Sequence, residues 1–114
     1  MSAFLDSYEF KEYLKTLQKD FVINLSNNLS NRTVSKHGCI IGLLIDFLCF
    51  DCGLKNLDDL TVGMVNSRFR KWHISKIGDA QESEIKVAVK KFFLFLEKDK
   101  GYVNKKIMDS FKKK

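Results

Sequence analysis

The residues best suited to chemistry in this chain are a cysteine pair, two histidines, a pair of adjacent carboxylates and a set of clustered cations. Cys49-Phe-Asp-Cys52 has the C-x-x-C spacing of a zinc half-site or a redox dithiol, and His37 or His73 could be imagined as further ligands. A structural zinc needs a second ligand pair at finger spacing, and a redox dithiol needs a βαβ setting. The sequence offers neither, so packing is the expected role, with no metal and no cofactor. The third cysteine, Cys39, makes the number odd, which argues against a disulfide framework. All three are expected to behave as small buried hydrophobes. His73, beside Trp72, reads as a surface or interface residue rather than a catalyst. Asp58-Asp59 stands just before Thr61 and reads as turn chemistry. No glycine-rich phosphate loop and no nucleophile with a base can be assembled, so the chain is not expected to be an enzyme.

The cations are more informative. The 114 residues carry a net charge of +6. Up to Leu57, six basic side chains meet six acidic ones; the remainder holds fourteen basic and eight acidic, so the whole surplus lies there. Such asymmetry suits a polyanion, against the plainer reading of a solvated lysine-rich surface. At about 100° per residue, with Ile85 at zero, Lys86 falls near 100°, Lys90 near 140° and Lys91 near 240°. Lys86 and Lys90 thus share one outer flank, a turn apart. Arg32, Ser35 and Lys36 gather at the start of another helix, where unsatisfied N–H groups also favour phosphate. The expected phosphate contacts are Arg32, Lys36, Lys86 and Lys90, with Lys76 and Lys91 as weaker candidates and Ser35 able to reach a base edge.

These side chains need helices to position them. The chain has no proline and only 6 glycines, with ten Phe against three Tyr and one Trp. That composition favours long helices on an aromatic core. Phe10, Leu14, Leu17 and Phe21 mark a first helix from Ser7 to about Asn27, with Glu12 and Lys15 as an i,i+3 pair. Ser30 or Asn31 caps a second, running to about Cys52. Its inner face holds Val34, Ile41, Leu44, Ile45, Leu48 and Cys52, broadened by Ile40, Leu43, Phe47 and Phe50. Gly53 follows as the left-handed stop. Leu57 and Leu60 point inward from a connection, and Thr61 caps a third helix to about Ile74, with Met64, Val65, Phe69 and Trp72 on one face. After a loop over 75–79, Asp79 and Glu82 resemble a capping box. The fourth helix reaches about Lys100, with Ile85, Ala88, Val89, Phe92 and Leu96 inside and Phe95 at the edge. Gly101 ends it. Val87 and Leu94 lie opposite that stripe, to be covered by a fifth helix or by a partner. This fifth helix starts near Asn104 and carries Ile107, Met108 and Phe111 ahead of a flexible basic tail.

One domain spanning 1–114 is expected, all-α, a compact bundle of four to five helices. The apolar run Cys39 to Phe50 is too short for a membrane span and contains Asp46. With no basic region and long apolar stretch at the N-terminus, no secretory signal is expected, and a cytoplasmic location is.

The order of these signals resembles a known family. Thr33-Val-Ser-Lys-His-Gly-Cys-Ile-Ile-Gly-Leu-Leu-Ile-Asp-Phe-Leu48 leads into Gly53-Leu-Lys-Asn-Leu-Asp-Asp-Leu-Thr61, and later comes Ser83-Glu-Ile-Lys-Val-Ala-Val-Lys-Lys-Phe-Phe-Leu-Phe-Leu96 with a Lys-Gly turn. Over roughly Phe10 to Ile107, this resembles the N-terminal core-binding (SAM-like) domain of tyrosine recombinases, the phage-integrase type. The motifs are mostly core and cap residues. The resemblance implies a non-catalytic module that forms half of a clamp on double-stranded DNA in integration or recombination, with the second and fourth helices across the major groove. It also implies further copies, or a catalytic recombinase domain, as partners. The catalytic domain, with its Arg, Lys, His, Arg and nucleophilic Tyr, is not among these residues, so strand cleavage is not expected of this chain alone. Two smaller departures are Val103-Asn104-Lys105 in place of the family's frequent Asn-Pro, and Lys90 where an Arg is usual in the fourth helix. The alternative is a helical protein-interaction or dimerisation module without DNA binding.

Overall fold

The computed structural model describes residues 2–76 and 82–112, with side chains described over 9–76 and 84–111. Among these residues there are five α-helices and no strand, so the all-α expectation holds. The chain divides into two compact units, Met1–Leu60 and Thr61–Lys114.

The first unit is built on α1 (Ser2–Leu25) and α2 (Asn31–Asp46). Helix α1 begins five residues earlier than its apolar stripe alone suggests. Phe10, Leu14, Leu17, Phe21 and Leu25 are buried along one face of it. The α2 stripe of Val34, Ile41, Leu44, Ile45 and Leu48 is buried in turn. Ser30 is the N-cap of α2: its Oγ accepts from the Thr33 N–H at 3.3 Å. Gly38 and Gly42, one turn apart on α2, allow close approach of α1. A Cβ on Gly38 would stand 3.0 Å from Val22 Cγ2, and one on Gly42 3.0 Å from Gln18 Nε2. Gln18 Nε2 uses that space to donate to the Gly38 carbonyl at 2.9 Å. Glycine inside a helix is unfavourable by about 1 kcal/mol against alanine, and this interhelical fit offsets it. Gly38→Val should therefore lower the stability of the first unit by about 1–3 kcal/mol through overpacking, read as an earlier urea midpoint.

The helix does not stop at Asp46. It widens into a π-helical turn, Phe47–Asp51, in which the Cys52 N–H reaches the Phe47 carbonyl at 3.1 Å. Gly53 then takes φ +64, the left-handed conformation that ends a helix, and the Leu54 N–H closes on the Leu48 carbonyl at 2.9 Å. A 3-10 turn, Leu57–Asp59, comes next. Asn56 caps it reciprocally, accepting from the Asp59 N–H at 3.1 Å and donating to the Asp59 carboxylate at 3.0 Å. That is the turn role expected of Asp59. By length and composition the helix from Asn31 to Asp51 would suffice to cross a membrane, but half of it is buried inside the protein. Its apolar stripe is core.

The second unit opens with Thr61, whose Oγ1 accepts from the Met64 N–H at 3.3 Å. A π-helical turn, Met64–Arg68, runs into α3 (Phe69–Lys76). Helix α4 spans Glu82–Asp99 and α5 Lys105–Lys112. The inner stripe of α4 is buried as expected, joined by Phe93. Gly101 at φ +71 ends α4, and the Tyr102 N–H bonds the Leu96 carbonyl at 3.1 Å. Asn104 caps α5 through Oδ1, which accepts from the Ile107 N–H at 3.2 Å. Helix α5 packs on α4 through fully buried Ile107 and a Phe93–Phe111 ring contact at 6.4 Å. The Asp79 cap and the Glu82 side chain lie outside the described residues.

Candidate nucleic-acid interface

Charge separates along the unit boundary. The first unit holds six basic and eight acidic side chains, the second fourteen basic and six acidic, or −2 against +8. Within the second unit, α4 is the longest helix and presents the most regular row of cations. Burial of Ile85, Ala88, Val89, Phe92 and Leu96 fixes its rotation, leaving Lys86 and Lys90 exposed one turn apart, with Lys91 half-buried. Lys86 and Lys90 hold no ion pair among the described residues. Lys76, at the end of α3, is exposed. Val87 and Leu94 remain 44% and 37% exposed. Helix α5 does not cover them, because it packs on the side of Phe93 instead.

In the first unit, Arg32, Ser35 and Lys36 are all exposed in the opening turns of α2, Arg32 and Lys36 one turn apart. Lys11 and Asp46 form an ion pair at 3.5 Å between α1 and α2, and the expected Glu12–Lys15 pair is not formed among the described residues. Lys11 also stands 4.2 Å from the centroid of the Phe50 ring. Phe50 was expected on the inner face, yet it is 68% exposed, and the contact with Lys11 gives its ring a cation–π partner at the surface.

The cysteines and histidines depart from expectation in two places. Cys39 is exposed, on the outer side of α2, while Cys49 and Cys52 are half-buried; all three are free thiols. Burial pushes the Cys49 thiol above its ordinary pKa, with nearby Asp46 adding to the rise and Lys11 opposing it. A raised thiol is a poor thiolate donor, which speaks against the redox reading. Between the unfolded and folded pKa values the native state keeps a proton that the unfolded chain has lost. Stability should therefore be full below about pH 9 and decline as pH rises further, and Cys49→Ala should flatten that decline in pH-dependent urea melts. His73 is buried rather than at the surface: it lies one turn after Phe69, whose ring it meets edge-on at 5.9 Å, and its Nδ1 has no hydrogen-bond partner among the described residues. His37 is also buried. Among the described residues no group of three or more His, Cys, Asp or Glu side chains could hold a metal ion.

A cleft that the sequence does not announce lies within the second unit. About 240 Å³ in volume, it is lined by Val65, Asn66, Ser67, Arg70, Ile85, Lys86, Val89 and Ser110. Segments far apart in sequence contribute to it. Of its cations only Lys86 stands in the row read from the α4 periodicity.

Comparison with family models, curated proteins and solved structures finds no match to this chain.

Proposed function

We propose that this protein is a non-catalytic module that binds double-stranded DNA through its phosphates, in the manner of the integrase core-binding domains its sequence resembles. One observation carries the reading: a second unit with a charge of +8, whose longest helix exposes Lys86 and Lys90 a turn apart with no ion pair among the described residues. Arg32, Lys36 and Ser35, exposed at the start of α2, add a second cationic turn where helical N–H groups also favour phosphate. Lys76 and Lys91 are secondary contacts. Catalysis of recombination belongs to another domain or another protein.

Amide-shift mapping with a short duplex at low salt tests the assignment. Shifts should concentrate on 32–36 and on 86–91. A duplex that binds while leaving both stretches unshifted would contradict these contacts.

Exposed Val87 and Leu94 favour a second reading, a helical docking face for a protein partner or another copy. Sedimentation across a concentration range separates the two. A tight dimer indifferent to duplex DNA supports the docking face; a monomer that shifts on adding duplex supports DNA binding.

A further inference from the structure

We infer that the cleft formed by the Met64–Arg68 turn, α3, α4 and α5 seats a single phosphate group. Its chemistry is that of an anion site built from donors. Lys86 brings an ammonium, and Arg70 adds the positive charge of its guanidinium to the cleft wall. Ser67 adds a hydroxyl. The Asn66 amide donates one N–H to Ser110 Oγ at 3.1 Å, which leaves its second N–H for a ligand. Ser110 in turn donates its only hydroxyl proton to the Ile107 carbonyl at 2.6 Å. It therefore holds Asn66 in place rather than contacting a ligand itself. No carboxylate lines the cleft among the described residues. A group rich in acceptors fits this set: a phosphodiester has nothing but acceptors to offer, and a phosphate dianion has three acceptor oxygens beside its one hydroxyl.

Shape agrees with chemistry. The cleft, at about 240 Å³, is smaller than the roughly 300–1,000 Å³ that drug-sized ligands occupy. Val65, Ile85 and Val89 contribute apolar walls, so an ion seated there is partly withdrawn from water and its contacts are strengthened. Asn66 and Ser67 sit in a π-helical turn, a backbone form that recurs at functional sites because it departs from the regular α-helical register. The DNA-binding reading enters only in naming the source of the phosphate: a backbone diester of the duplex, as against free phosphate.

The test is an amide-shift titration of the full chain with inorganic phosphate, against chloride at matched ionic strength. Saturable shifts of Asn66, Ser67 and Arg70 at concentrations on the order of millimolar are expected. Lys86→Gln, on an exposed helix position, should raise the half-saturating concentration severalfold, and Ser67→Ala should do so without changing the net charge. Phosphate shifts no larger than those of chloride, or shifts spread over all lysines without saturation, overturn the inference. A parallel titration with a short duplex separates the sources. If phosphate saturates the cleft and the duplex does not bind, the seat holds and takes free phosphate, while the DNA-binding reading fails. If the duplex binds but neither it nor phosphate shifts these residues, the DNA-binding reading stands and the seat is wrong.

Discussion

Replacing Lys86 and Lys90 together by Gln should weaken duplex binding by on the order of tenfold or more at low salt, and should flatten its salt dependence. Each phosphate neutralised contributes about 0.9 to the slope of log affinity against log salt. Four contacts, from Arg32, Lys36, Lys86 and Lys90, imply a slope of about −3.6, or roughly a hundredfold loss between 50 and 200 mM salt. Removing two leaves a loss of about tenfold over the same range. Stability should hardly change, because both side chains are exposed and neither has an ion pair among the described residues. Parallel urea melts keep the two effects apart. A double variant that binds as tightly as the parent, with the same slope, would remove α4 from the interface.

Phe69→Ala should produce the largest stability loss in the second unit, about 3–5 kcal/mol. Its side chain is fully buried. The ring stacks on Trp72 at 6.1 Å and 24°, and meets His73 edge-on at 5.9 Å. Truncation leaves a cavity and removes both aromatic contacts from a short helix that continues a π-helical turn. Small domains have only about 5–15 kcal/mol in total, so the variant should melt well below the parent or fail to fold. Near-UV circular dichroism reports directly on the single tryptophan, Trp72. A variant with parental melting temperature and an unchanged Trp signal would show that this cluster is not the structural centre of the unit.

Much of the secondary structure could be read from periodicity and punctuation. The stripes of α1 and α4 carry apolar residues at 3–4 spacing, and each of those positions is buried. Ser30, Thr61 and Asn104 cap helices, and Gly53 and Gly101 end them at positive φ, because these residue types solve local backbone problems wherever they stand. The π-helical turns were not legible. A widened turn leaves no mark on the apolar pattern before it. Three misplaced residues had a legible signal. Phe50 lies about 180° from Ile41 on a helical wheel, opposite the buried stripe, and is exposed. Cys39 lies about 160° from Ile41 on a helical wheel, so its exposure could have been foreseen, and His73 stands four residues after buried Phe69. The cleft is different: Asn66 and Ser110 meet across forty-four positions, and nothing in either local sequence announces the partner.

The row of exposed lysines on α4 results from the burial of its opposite face, and phosphate binding results only if that row meets a polyanion. The most direct measurement is a titration of the full chain with a short labelled duplex at 50 and 200 mM salt. Affinity should fall about a hundredfold between the two. No binding at the lower salt, or binding equally tight at both, would contradict an interface made of phosphate contacts.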